Sequence, residues 1–170
     1  GAEIINDVTA LTHDAQALKV AAAAKVPVIL MHMQGTPQTM QKAPSYARVE
    51  CDIFDYFEQR IAACEAAGIP KSMLVVDPGI GFGKTPAHNA VLLRRCGLFH
   101  QLGVPVMMGA SRKSFIHALA GPAEAENRLP GSLTAALMAL SNGVQMLRVH
   151  DVAATKQAVT LWQALHSTTA

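Results

Sequence analysis

The sequence predicts a parallel α/β fold of the (β/α)8 TIM-barrel kind, here a partial barrel with about five parallel strands. Three observations predict it. Short apolar runs alternate with helical patterns along the whole chain; the runs are apolar on both parities, as in strands covered on both faces; and polar side chains gather where the runs stop. An open doubly wound sheet would concentrate such residues at one switch point, whereas here each strand end carries its own. The strand-helix units recur roughly every 25 to 45 residues, and a complete barrel needs about 250 residues. With 170 residues, about the first three units of such a barrel are absent from this sequence, which therefore reads as one domain, 1–170, forming the C-terminal portion of the fold.

Residues 3–8 form the first predicted strand, and the Ala-rich stretch 14–24 a helix with Leu18 and Ala22 on one face. Strand 26–32 follows. From Met33 to Ser45 the chain is rich in Gln, Thr, Pro and Gly, including Gln34-Gly35-Thr36-Pro37, which marks a long and hence functional loop. Val49, Ile53, Phe57, Ile61 and Cys64 repeat at four-, four-, four- and three-residue spacing, so an apolar stripe runs along a helix over 47–67 that Gly68 stops.

Leu74-Val75-Val76 is the third strand, and Pro86 opens a helix ending near Leu102-Gly103. Residues 105–108 make the fourth strand, 114–119 a short helix, 132–140 a small-residue helix ended by Asn142-Gly143, and 145–149 the fifth strand. Residues 153–165 close the sequence as a helix in which Trp162 packs.

Composition narrows the function. Hydrophobic residues make up 51% and charged residues 15%, and the mean hydropathy is +0.24, enough for a sizeable core and too little charge for a disordered chain. A net charge of +2 gives no field to attract nucleic acid or a membrane surface, so small anions are the expected partners. Cys51, Cys64 and Cys96 show no Cys-x-x-Cys pairing and read as thiols in a reducing compartment. The longest apolar runs fall well short of the ~20 residues of a membrane span, and no signal-peptide pattern is seen, so the expected location is cytoplasmic.

Pro78-Gly79-Ile80-Gly81-Phe82-Gly83-Lys84-Thr85 misses the phosphate-loop pattern because Pro78 stands where glycine is required, and Lys84 breaks the dinucleotide fingerprint. The glycines instead let the backbone turn sharply above a strand and bring Phe82 over a planar ligand. Asp77 shares parity with Val75 and points to the barrel axis, where a carboxylate can accept paired N–H groups of an amino-substituted heterocycle; capping the next turn is the bland alternative. Asn6 offers both donor and acceptor at the end of the first strand, whereas Asp7, of opposite parity, reads as structural.

Ser111-Arg112-Lys113-Ser114 follows the fourth strand, with Lys113 reaching inward and Arg112 solvated or paired with an acid. Arg148 and His150 share one parity in the last strand and suit a doubly charged leaving group, against the competing account of an ion pair with Asp151. His32, with no His-Glu-x-x-His around it, reads as a hydrogen-bonded histidine at the core's edge and not as a metal ligand.

Ile4-Ile5-Asn6-Asp7, Leu30-Met31-His32-Met33-Gln34-Gly35-Thr36-Pro37, Asp77-Pro78-Gly79-Ile80-Gly81-Phe82-Gly83-Lys84, Gly109-Ala110-Ser111-Arg112-Lys113-Ser114 and Arg148-Val149-His150-Asp151-Val152 together resemble the dihydropteroate synthases, in order over essentially the whole chain. The resemblance implies a (β/α)8 barrel, usually a homodimer, that condenses 6-hydroxymethyl-7,8-dihydropterin diphosphate with 4-aminobenzoate in folate biosynthesis, with Mg2+ as cofactor, and that is the target of sulfonamides. It implies that Asn6 and Asp77 hydrogen-bond the pterin, Met31 lines its pocket, Gly109 allows close approach and Lys113 reaches the ring. Arg148 would stack over the ring and, with His150, hold the diphosphate; Phe82 and Ser114 would lie towards the aminobenzoate. Lys113, Arg148 and His150 are thus the expected catalytic residues. No metal ligand is expected in this chain, since the family's metal-binding asparagine lies in the absent first strand. The alternatives are a pterin-binding methyltransferase domain serving a corrinoid protein, or a catalytically incomplete fragment.

Overall fold

The computed structural model describes residues 1–36 and 38–166; the Pro37 of the predicted loop motif lies outside the described residues. Strand and helix alternate except between β4 and β5, where two helices follow one another: β1 (Ile5–Asp7), α1 (Ala17–Ala24), β2 (Val28–Met31), α2 (Val49–Ala66), β3 (Leu74–Asp77), α3 (Pro86–Arg95), β4 (Met107–Met108), α4 (Ser114–Ala120), α5 (Leu129–Ser141), β5 (Met146–Leu147) and α6 (Val152–His166). All pairings are parallel, in the order β1-β2-β3 and β4-β5. One parallel bridge, Val76 to Val106, joins the two groups. Among the described residues the five strands do not close on themselves, so the architecture is a partial barrel.

Register and alternation divide the strand residues between two faces. Val28, Leu30, Leu74, Val76, Val106 and Met108 point to the helices and join the main core with Ile53, Phe57, Ile61, Cys64, Leu92 and Phe99. The predicted stripe on α2 is thus the buried face of that helix, with Ile53 and Phe57 fully covered. Ile29, Val75 and Met107 make a separate inner cluster with Met146 packed against it. Because Asn6 pairs with Ile29 and Asp77 with Met31, those side chains share the inner face.

Several elements differ in extent from the sequence expectation, each for a local reason. β1 is confined to the three residues that pair with β2, and Ile4 and Val8 beside it are exposed. The helix expected to run to Leu102 changes at Cys96 into a 3₁₀ segment, Cys96–Leu102. The small-residue helix begins at Leu129, earlier than expected, because Pro130 fits the first turn, where its missing N–H costs nothing. β4 and β5 are two residues each, the length over which they pair.

Turn chemistry fixes the strand ends. Asp7 accepts bonds from Thr9 N (3.2 Å), Thr9 Oγ1 (2.9 Å) and Leu11 N (2.6 Å), holding a turn in which Ala10 and Leu11 have positive φ. Thr85 and His88 cap α3 reciprocally: Thr85 Oγ1 accepts from His88 N and Thr85 N donates to His88 Nδ1. No described helix is long and apolar enough to cross a membrane.

Candidate active site at the C-terminal ends of the strands

Asp77 ends β3 on the inner face and is 1% exposed. Its Oδ1 accepts the Gly79 N–H at 2.8 Å, so it does cap the following turn, leaving its other oxygen for a further donor. Burial pushes its carboxyl above the ordinary range; the Gly79 bond and the charges of Lys113, Arg148 and Lys84 pull the other way. Gly79 takes φ 68°, and a Cβ there would stand 2.0 Å from the His32 carbonyl oxygen. Only glycine allows the loop to lie this close to the end of β2.

The loop from Gly79 to Gly83 is held from several sides. Gly81 N donates to Asn89 Oδ1 of α3 (2.8 Å), Gln41 Nε2 to Gly81 O (2.5 Å) and the Tyr46 hydroxyl to Gly83 O (2.8 Å). Gln41 and Tyr46 come from the long segment after β2. That segment is itself closed by Gln34, which donates to Ser45 O (2.8 Å) and accepts from Ser45 N (2.9 Å). Beneath the loop, Lys84 is 2% exposed. Its Nζ lies 3.0 Å from His32 Nδ1, 2.9 Å from Phe82 O and 3.3 Å from His32 O. Burial, then the charge of Lys84, lowers His32 to about 3. Burial lowers Lys84 to about 7, with Asp77 opposing the shift and Lys113 adding to it.

Lys113 crosses from the other half of the sheet. Its Nζ donates to Ile80 O and stands over the Phe82 ring, 4.7 Å from the centroid. Burial lowers it to about 8; Asp77 raises it and Arg148 lowers it further. Gly109, Ser111, Lys113, Arg148, Val149 and His150 enclose a cavity of about 120 Å³. Ser111 is buried, and its Oγ accepts the His150 N–H (3.2 Å) and contacts His150 Nδ1 (3.0 Å), which orients the ring. Gly109 lies against Arg148: a Cβ there would sit 3.4 Å from Nε.

Asp151 pairs with Arg112, not with Arg148 or His150, through Nε–Oδ2 at 3.0 Å and Nη2–Oδ1 at 2.5 Å. The ion pair weighed as the competing account of Arg148 and His150 is therefore made by another arginine. Arg112 itself adopts φ 58° and is fixed by Ser132 Oγ, which accepts its N–H, and by Arg128 Nη1, which donates to its carbonyl.

The structure thus brings Asp77, Phe82, Gly109, Lys113, Arg148 and His150 to one mouth. Met31 pairs with Asp77 and lies beneath Gly79. Asn6 is on the same face, level with Ile29 and Val75, and is exposed. Ser114, exposed at the first turn of α4, adjoins Lys113. A cavity of about 650 Å³ opens at the ends of β1 and β2, reaching Thr9, His13, Met33 and Gln38. Sequence reasoning assigns Lys84 no contact of its own, because its partners are an imidazole and two backbone carbonyls.

Residues 1–150 match the family described as pterin-binding enzymes. Dihydropteroate synthase of Escherichia coli strain K12 is 48% identical over 166 residues, covering 96% of this chain and 57% of that protein. A solved dihydropteroate synthase of Xanthomonas albilineans with 4-aminobenzoic acid superposes with a TM-score of 0.92 at 46% identity, over 99% of this chain and 59% of the other. The same enzyme in complex with 7,8-dihydropteroate superposes with a TM-score of 0.92 at 45% identity, over 99% and 61%. The chain therefore spans less than two thirds of the length of these relatives.

Proposed function

Because this chain belongs to the pterin-binding enzyme family, we propose that it supplies the C-terminal strand-helix units of a dihydropteroate synthase, joining 6-hydroxymethyl-7,8-dihydropterin diphosphate to 4-aminobenzoate. The observation that carries this reading is the convergence of a buried carboxylate, Asp77, with the cation-lined pocket of Lys113, Arg148 and His150. One mouth then offers an anchor for a flat amino-heterocycle and a receptacle for its phosphorylated arm. The ligands of the Xanthomonas enzymes, 4-aminobenzoic acid and 7,8-dihydropteroate, support the same substrate classes.

In the proposed reaction the bond between the exocyclic CH2 of the pterin and the diphosphate oxygen breaks, and diphosphate leaves with the electron pair. The aromatic amine nitrogen forms the new bond to that carbon and gives up a proton to solvent. Asp77 and Asn6 hold the ring, Met31 and Gly109 shape its pocket, and Phe82 and Ser114 flank the incoming amine. Lys113 reaches the ring, while Arg148 and His150 meet charge that grows on the leaving oxygens. That is stabilisation realised in the transition state, worth a few kcal/mol, on the order of a hundredfold or more in rate. A neutral aromatic amine is already nucleophilic, so positioning counts for more than a strong base.

The donor set here does not fit Mg2+, which demands several oxygens. Lys113, Arg148 and His150 carry nitrogen donors, and one of the two Asp77 oxygens is taken up by the Gly79 N–H. The ligands of the metal are assigned to the remainder of such an enzyme. A homodimer is part of the proposal, supported by an apolar groove of about 540 Å³ between α3, α4 and α5 with Leu119 and Met138 exposed along it. A cytoplasmic location is supported by the free thiols of Cys51, Cys64 and Cys96.

Isothermal calorimetry of this chain with the pterin diphosphate, and with inorganic diphosphate as competitor, tests the reading. Binding displaced by diphosphate is the expected result. Pterin binding indifferent to diphosphate would favour a methyl-transferring relative, and absence of both would sink the proposal for this chain.

A further inference from the structure

A lysine that is 2% exposed is costly to keep charged, and Lys84 is not among the ion pairs formed by the described residues. What it has instead is three acceptors for three N–H groups: His32 Nδ1, His32 O and Phe82 O. We infer that Lys84 is a positioning residue for the loop that meets the ring substrate, because its ammonium binds the end of β2 to the Phe82 carbonyl and so sets the Phe82 ring under the Lys113 amine. The inference rests on the pterin reading above for what the loop contacts, and on this chain's own contacts for how the loop is held.

The arrangement is specific in its protons. His32 Nδ1 must present a lone pair to the ammonium, so the ring hydrogen is on Nε2. A histidine held near 3 stays neutral, and keeps that lone pair, over the whole working range. The amine has no such reserve, since burial brings it to about 7. After losing its proton it has two N–H groups for three acceptors, and its own lone pair faces one of them. The hold on Phe82 O or His32 O then slackens, and Phe82 leaves its place beneath Lys113.

Other ionisable groups surround this pair. Asp77 at the end of β3 favours the ammonium, and Lys113 ahead of α4 opposes it. On the imidazole side, Tyr56 of α2 presents its ring edge-on to His32 at 4.8 Å, Tyr46 lies at 6.0 Å, and His88 of α3 stacks edge-on against Tyr46 at 5.1 Å. Of these, Lys113, lowered by burial to about 8, touches the same loop. The test must therefore resolve two lysines.

The experiment is an NMR titration of this chain with lysine Cε and backbone amides labelled, from about pH 6 to about pH 9, together with calorimetry of the pterin diphosphate across the same range. In the wild type, the Gly81, Phe82 and Gly83 amides are expected to move with the Lys84 midpoint, and pterin affinity to fall by about tenfold across it. In Lys84→Met, the component at the Lys84 midpoint disappears from both profiles while the component at the Lys113 midpoint stays. Wild-type loop amides that ignore the Lys84 titration overturn the inference even if the variant fails to fold. So does a folded Lys84→Met with unchanged Phe82 signals and unchanged affinity. Failure of the wild type to bind the pterin at any pH removes the functional reading alone, and the loop amides still decide the role of Lys84.

Discussion

Arg112 and Asp151 hold each other by two bonds, 3.0 Å and 2.5 Å, across the ends of β4 and β5. This fork engages both carboxylate oxygens of the acid beside His150, and the Arg112 hydrogen bond holds the Asp151 carboxyl below its ordinary range. No hydrogen bond or ion pair engages the Arg148 guanidinium among the described residues, and it lines the 120 Å³ cavity. Pairing one arginine is what leaves the other for an anion.

Replacing Arg112 by alanine is therefore expected to weaken diphosphate binding by about fivefold, as the unbalanced carboxylate of Asp151 competes for Arg148. Melting temperature should change little, since both side chains of the pair keep some contact with solvent. Calorimetry with inorganic diphosphate at low salt checks this, and unchanged affinity would show that Asp151 does not compete.

Asp77→Asn separates stability from binding. Its carboxyl is raised by burial, so the folded state binds the proton more tightly than the unfolded state. That contribution to stability is present below the unfolded pKa of 3.8 and lost as pH rises through the folded value. At neutral pH the buried charge is a cost, and the neutral amide should leave the protein as stable or more so. Pterin affinity should fall by about 10- to 100-fold with loss of the charge-assisted bonds. Thermal melts and calorimetry on the same preparation would contradict the role if both moved together.

Arg148→Ala should leave the fold intact, because the side chain is exposed. In a full-length enzyme carrying this stretch, turnover should drop on the order of a hundredfold with a smaller change in KM. Steady-state kinetics with wild-type kcat would remove Arg148 from the leaving-group pocket.

Acid stability should be governed in large part by His32. Burial holds it near 3 against an ordinary 6.5, so the unfolded state takes up the proton first. Stability from this group is present above about 6.5 and is lost as pH falls towards about 3, amounting to a few kcal/mol. His32→Asn retains an acceptor for Lys84 and cannot titrate, so denaturant midpoints of the variant should be flatter over that window. An equally steep profile would place the acid sensitivity elsewhere.

Much of this was legible in the sequence. The stripe of Val49, Ile53, Phe57, Ile61 and Cys64 is the buried face of α2, because helical periodicity and burial are the same geometric fact. Parity at Val75 and Asp77 placed the carboxylate on the inner face, since alternation along a strand needs no tertiary information. What pairs with what was harder to read. The Arg112–Asp151 fork joins residues far apart in the chain, and neither residue type nor spacing distinguishes it from an Arg148–Asp151 pair. Lys84 was illegible for the same reason: its partners are one imidazole and two carbonyls, and backbone oxygens leave no mark in composition. The extents of β1, β4 and β5 followed their neighbours, not their own apolar content.

The sheet is thinnest between Val76 and Val106, where one bridge and the bond from Val76 N to Pro105 O join its two groups of strands. Asp77 stands immediately beyond that joint on one side, and Lys113, Arg148 and His150 belong to the other. A molecule gripped at both ends would act as a clasp across the joint, drawing rigidity into the sheet from its own bonds. Amide protons of β4 and β5 would then exchange more slowly in the loaded protein, so occupancy would be written into the mechanical cohesion of the scaffold as well as into its chemistry.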